Sequence, residues 1–420
     1  MSNQKKQWGA IIVMIALFAM IAFVTNLCTP MATIIKNQGP ISNVLAQIGN
    51  YGNFVAYLVM GIPAGMLISK FGYKKTALIG LAVGATGIII QWVSGLLDVE
   101  QNLGLVFGVY LVGAFIAGLC MCILNCVVNP MLNLLGGGGN SGNQLIQIGG
   151  VFNSSAAVAC YILMGALISD ATKAKIADAT PALMIALAIF VVAFIVISFT
   201  KIEEPEQAPV ELSLIKGAMS YRHFALGALA IFLYMGIEVG VPNFVQQYLI
   251  ADGIPAGTVG MLVAVYWFMM LIGRFVGAGI GNKVSSRAMI TTVSIATLVL
   301  VLFGMYAPTD VIVSFPGVDW GQLILIWQPI PVGIFAFLLV GLCTSVMWGA
   351  IFNMAVEGLG KYTAIASGIF MTMVFGCAVM MAIQAAVADA TNYITSFWVV
   401  VFCAAYLLFY ALVGSKPAKK

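Results

Sequence analysis

Glu238 is the one ionisable side chain that sits deep in an apolar stretch of this chain. An unpaired carboxylate in hydrocarbon is costly, so taking up a proton is the chemistry open to it. Neutral amides recur in the other apolar stretches. Asn125 and Asn129 are four apart and share a helix face. Gln147 and Asn153 follow in a second run, Asn243 and Gln246 in a third and Asn353 in a fourth, while Asn26 and Thr29 occupy the first. An amide offers both donors and an acceptor, which is what a solute hydroxyl needs. Trp267 and Trp348 offer flat faces on which the apolar side of a sugar ring can pack.

Each of these residues has a plainer reading. Amides bond between helices in any bundle, and Glu238 could be a hydrogen-bonded glutamate that holds its helix. As a set, the amides outnumber what packing requires, which favours a cavity lined for a small neutral solute, a saccharide above all. Pro242 removes the helical donor for the carbonyl of Glu238, so a broken stretch of helix is expected there. Lys70, Lys74 and Arg274 lie near helix ends and form a candidate gate on the cytoplasmic side, although a purely topological role would suffice for the lysines. No cation lies deep enough to meet an anionic substrate, although helix N-termini can also hold anions.

The elements that must position these groups are membrane helices. Of the 420 residues, 62% are hydrophobic and 8% charged, against roughly 25% charged in soluble domains; lipid has to cover this surface. Runs long enough to span recur at 8–35, 42–69, 76–97, 104–135, 144–169, 181–200, 222–250, 256–281, 288–307, 329–352, 363–388 and 391–413. These are spans 1 to 12, an all-α membrane protein. With the N-terminus inside, only Lys36, Lys173 and Lys175 fall on outside loops, so both termini are expected in the cytoplasm. The polar segment 201–221 divides the chain into halves, 1–200 and 222–420, and 308–328 is expected to be an outside loop.

The halves carry matching marks. Asn26-x3-Pro30 matches Glu238-x3-Pro242 at an offset of 212, and Lys70-x3-Lys74 matches Lys283-x3-Arg287 at 213. Asn129-x6-Gly136 echoes Asn353-x6-Gly360 beyond the insert. A duplicated half around a central site is how many carriers are built. The eight cysteines lie in apolar runs without a CxxC pair, and one histidine, His223, is present, so no metal site is expected. No nucleophile, base and orienting group cluster, which argues against an enzyme.

The stretch Gly65-Met-Leu-Ile-Ser-Lys-Phe-Gly-Tyr-Lys-Lys75 resembles the loop 2–3 signature of the major facilitator superfamily, with Ser69 in place of its usual acidic residue. Within it the chain resembles the fucose–galactose–glucose:proton symporters, through Glu357-Gly-Leu-Gly-Lys-Tyr362, Gln384-x4-Asp389, Arg274-Phe-Val-Gly277, Gly236-x-Glu238-Val, Asn129-Pro130 and Phe152-Asn153. The resemblance runs from span 1 to span 12 and implies two pseudo-symmetric six-helix halves, a bacterial inner membrane and transport of a neutral sugar by alternating access. Where that family carries acids in spans 1 and 4, this chain has Thr29 and Asn125, and its span 5 glutamine becomes Gly150, which would leave room for a bulkier ligand. The coupling ion therefore stays open: H+ through Glu238, Na+ among carbonyls and amides, or none. No organic cofactor and no nucleic acid are implied, and a monomer is expected. The alternatives are a facilitator or exporter of another metabolite or drug on the same fold, and a membrane sensor that binds a solute without moving it. Span 5 lacks the Gly-Pro motif common in exporters, and no soluble signalling domain accompanies the spans.

Overall fold

The computed structural model describes residues 7–97, 102–136, 139–168, 173–202, 204, 211–280, 284–320 and 322–416. Eleven of its helices are long and apolar enough to cross a membrane. One of them, Ile48–Ser94, has 47 residues. At 1.5 Å per residue it would run ~70 Å, more than twice the thickness of a bilayer core. It breaks at Gly72, whose φ of 79° is open to glycine and strained for most other residues. Spans 2 (48–71) and 3 (73–94) are therefore separate crossings, and there are twelve.

The other spans are span 1 (Trp8–Lys36), span 4 (Leu103–Leu135), span 5 (Gly139–Leu167), span 6 (Thr180–Phe199), span 7 (Arg222–Ala251), span 8 (Ala256–Ile280), span 9 (Ser286–Tyr306), span 10 (Val332–Val356), span 11 (Ile365–Ala390) and span 12 (Tyr393–Gly414). Six precede the polar segment and six follow it. Within that segment, residues 203 and 205–210 lie outside the described residues, as does Lys283 of the repeat marks.

Two expectations change. The insert 308–328 is not simply a loop. Strands β1 (Ile312–Asp319) and β2 (Ile324–Pro331) pair antiparallel into a hairpin, which rests on the start of span 8 where Gly317 meets Thr258. Its β-branched and aromatic residues, among them Ile312, Val313, Phe315, Ile324, Ile326 and Trp327, suit a strand. Span 7 is also unbroken across Glu238–Pro242. The Tyr266 hydroxyl of span 8 donates to the freed Glu238 carbonyl at 3.0 Å and so replaces the donor that Pro242 lacks. Span 1, which carries the matching Pro30, does interrupt at Leu27.

The halves meet along two antiparallel seams. Spans 5 and 8 touch where Gly165 meets Ala256 and Gly257, where Tyr161 meets Gly260, and where Gly150 meets Arg274. Gly260, Trp267 and Arg274 are seven apart, so one stripe of span 8 faces span 5. Spans 2 and 11 touch where Gly61 meets Thr372. Small residues are what allow such close backbone approach between membrane helices.

Candidate functional site

The bundle has a face that carries the hairpin and an opposite face that carries the chain ends. On the hairpin face the halves are bonded shut. Asn243 and Gln47 exchange amide hydrogen bonds, Gln47 Nε2 to Asn243 Oδ1 at 2.8 Å and Asn243 Nδ2 to Gln47 Oε1 at 3.1 Å. Asn243 Nδ2 also donates to Thr29 Oγ1 at 3.2 Å, and Gln247 donates to Asn243 Oδ1 at 2.6 Å. One layer outward, Gln246 donates to Thr33 at 3.3 Å. At the rim the Asp389 carboxylate at the end of span 11 accepts the backbone N–H groups of Asn43 (2.8 Å) and Val44 (3.1 Å) at the start of span 2. The Tyr393 hydroxyl donates to Asn43 Oδ1 at 2.7 Å, and Lys36 bonds the same oxygen. The space that remains among Pro30, Thr33, Tyr161, Met164, Gln246 and Val259 is about 30 Å³, room for one or two waters and for no solute.

Below this closure the polar residues become partly accessible. Asn125 donates to the Tyr57 hydroxyl at 3.0 Å and to the Met121 carbonyl at 3.1 Å, and Asn129 bonds the Asn125 carbonyl. Both are only part-buried, as are Glu238 and Trp348, and Asn353 is exposed. Trp348 follows the interruption of span 10 at Ser345 and Val346 and packs tilted on Tyr234, with centroids 6.2 Å apart. Glu238 lies beside Tyr234 and within electrostatic reach of Arg274. Tyr266 secures the region by contacting the Thr344 hydroxyl (3.1 Å) as well as the Glu238 carbonyl. Partial exposure of a carboxylic acid and several amides at mid-span depth suits a water-filled space between the halves.

The expected site residues thus divide. Asn125, Asn129, Glu238, Trp348 and Asn353 belong to the accessible layer. Thr29, Asn243 and Gln246 join the halves in the closure. Asn26 is buried and bonds the Ala22 carbonyl at 2.8 Å, next to the interruption of span 1. Trp267 is buried and stacked on Tyr161 at 6.4 Å. Asn153 donates to the Phe18 carbonyl at 2.8 Å, and Gln147 is part-buried on the same helix.

Of the three gate cations, Arg274 crosses to the other half: its Nη1 donates to the Gly150 carbonyl and lies 3.4 Å from Asn153 Oδ1. The space beside Gly150 therefore holds this guanidinium. Lys74 donates to the Ser198 (3.0 Å) and Thr200 (2.8 Å) carbonyls at the end of span 6, within its own half, and Lys70 lies over the Phe71 ring. Sequence reasoning missed Glu204, whose carboxylate accepts the N–H groups of Tyr73 (2.6 Å) and Lys74 (2.7 Å) where span 3 restarts after Gly72. A helix restart with open N–H groups attracts an anion; here it comes from about 130 residues away. Asp389 was likewise read as part of a family pattern and not as a clasp.

A twelve-span bundle in two halves, closed at one face above a polar layer, defines a membrane transporter rather than an enzyme. The family model of the Major Facilitator Superfamily matches residues 10–382, and the chain belongs to that superfamily. The glucose/galactose transporter of Brucella abortus biovar 1 (strain 9-941) is 29% identical, with 99% of this chain and 96% of that protein covered. The L-fucose-proton symporter of Escherichia coli (strain K12) is 21% identical over 96% of this chain and 92% of that protein. Among solved structures, the transporter FucP in its outward conformation superposes with a TM-score of 0.69 at 20% identity, covering 97% of this chain and 98% of that one.

Proposed function

We propose that this protein carries a neutral sugar across a bacterial inner membrane by alternating access, with both termini in the cytoplasm and the hairpin outside. The observation that carries the reading is the layered arrangement between the halves. Amides that could bond a solute (Asn125, Asn129, Asn353), an aromatic platform (Trp348) and a carboxyl (Glu238) lie beneath a closure of amide pairs. The names of the Brucella abortus and Escherichia coli relatives support a sugar as the cargo. In this reading the halves are 1–200 and 222–420, joined by 201–221, and the chain works as a monomer. In this reading the closure beside the hairpin is the outer gate, and solute and coupling ion exchange from the cytoplasmic face.

Thr29, Asn243 and Gln246 touch the solute only after this closure parts. Thr29 and Asn125 are neutral where the resembling symporters carry acids, which leaves Glu238 as the proton carrier. No organic cofactor enters the reading. The test is Glu238→Gln in proteoliposomes. Loss of proton-driven accumulation with counterflow exchange retained is the expected result. Accumulation against a gradient in the variant would remove Glu238 as the essential proton site and favour a different coupling ion such as Na+.

A further inference from the structure

We propose that Arg274 is the positioning residue that links the charge of Glu238 to the seam between spans 5 and 8. Its guanidinium donates to a backbone carbonyl in the other half and lies within electrostatic reach of the carboxyl in its own. The proposal rests on the alternating-access reading above.

Arg274 Nη1 donates to the Gly150 carbonyl and approaches Asn153 Oδ1 at 3.4 Å. Asn153 is aimed by its own bond to the Phe18 carbonyl, so the acceptor pair is fixed to spans 1 and 5. The guanidinium packs closely on Gly150: a Cβ there would lie 3.1 Å from Nη1 and 3.3 Å from Cδ of Arg274, so a methyl group would shift it by a few tenths of an ångström and a larger side chain would displace it. At the matching depth the other seam is a small-residue contact, its carboxylate clasp at Asp389 lying further out at the rim. At the offset of 213 that relates the basic marks of the two halves, Arg274 corresponds to Gly61, which packs directly on Thr372. At this depth one seam is a small-residue contact, and its counterpart holds a guanidinium.

That ion also feels Glu238. The titratable groups around the carboxyl are Tyr234 on its own helix, Tyr266 and Arg274 on span 8, and Cys377 on span 11. Arg274 is the cation among them. An ionised Glu238 draws the guanidinium back toward span 7 and loosens the clasp. A Glu238 neutralised by a proton leaves it to Gly150 and Asn153, and the seam tightens. Occupancy of the central layer is thereby reported to the contact between the halves, a differential interaction of the kind any coupled transition requires.

The experiment is hydrogen–deuterium exchange by mass spectrometry on the full chain in lipid nanodiscs, read at peptides covering 145–156 and 268–277. Glu238→Gln is expected to slow exchange there about fivefold or more. Arg274→Gln is expected to speed it, and in that background Glu238→Gln should have no further effect. Gly150→Leu, whose branched side chain occupies the space of the guanidinium while leaving its charge in place, should behave as Arg274→Gln does; it provides the second route should loss of the arginine impair folding. The proposal is overturned if Glu238→Gln leaves the seam unchanged, if its effect persists without Arg274, or if Gly150→Leu exchanges as the parent does. A clasp that is merely structural would respond to Arg274→Gln and ignore Glu238. No solute is used, so the sugar assignment can fail without touching this test.

Discussion

Replacing Asn243 by alanine should open the outer gate. In the closed structure this side chain makes three bonds to the other half, two with Gln47 and one with Thr29, at 2.8 to 3.2 Å. Hydrogen bonds between membrane helices average ~0.6 kcal/mol, so about 2 kcal/mol of closure is lost. At about 1.4 kcal/mol per tenfold, the ratio of closed to open molecules falls roughly 20-fold. Met164, buried and lining the small space beside Gln246 and Thr33 in the outer layer of the closure, is a suitable reporter. A Met164→Cys variant is exposed to a membrane-impermeant thiol reagent from the hairpin face, and labelling is corrected for the native cysteines. With Asn243→Ala added, labelling should accelerate by about the same 20-fold. A rate within twofold of the Asn243 parent would show that the amide network does not hold the gate, and the division of the site into a closure and a solute layer would have to be redrawn.

Asp389→Asn keeps one acceptor oxygen of the two that hold Asn43 and Val44, so it should raise Met164→Cys labelling less than Asp389→Ala does; equal labelling in both would remove the clasp at the rim. Tyr266→Phe leaves the Glu238 carbonyl without a donor and should cost about 1–3 kcal/mol of stability in thermal unfolding. Pro242→Ala restores a backbone N–H four residues on, so the double variant should recover most of that loss; no recovery would mean that Tyr266 acts through Thr344 instead. Trp348→Ala should weaken solute binding, measured by calorimetry, with little change in outer-gate labelling.

Some of this was legible in the residues. The twelve spans follow from apolar run length, because hydrocarbon requires such runs whatever packs against them. The kinship of the halves showed in the paired prolines, Pro30 and Pro242, and in the basic marks. The hairpin was hidden because Pro316 and Pro329 suggest a loop, while each strand is only eight residues long and its apolar residues do not alternate. Side-chain partners were harder still. The spacing of Asn243 and Gln246 shows that they are buried polar groups, yet it cannot distinguish a solute from Gln47 and Thr33 of the other half. Gly150 looked like space for a ligand because nothing in the sequence places Arg274 against it. Glu204 and Asp389 act on backbone N–H groups far along the chain, and such acceptors leave no local pattern.

The central claim is transport of a neutral sugar, and uptake by purified protein in proteoliposomes tests it most directly. A panel of labelled neutral sugars would be presented with and without an inward proton gradient. Saturable uptake of at least one sugar is expected, driven above equilibrium by the gradient and reduced to equilibration by Glu238→Gln. Uptake of no neutral sugar under either condition would contradict it.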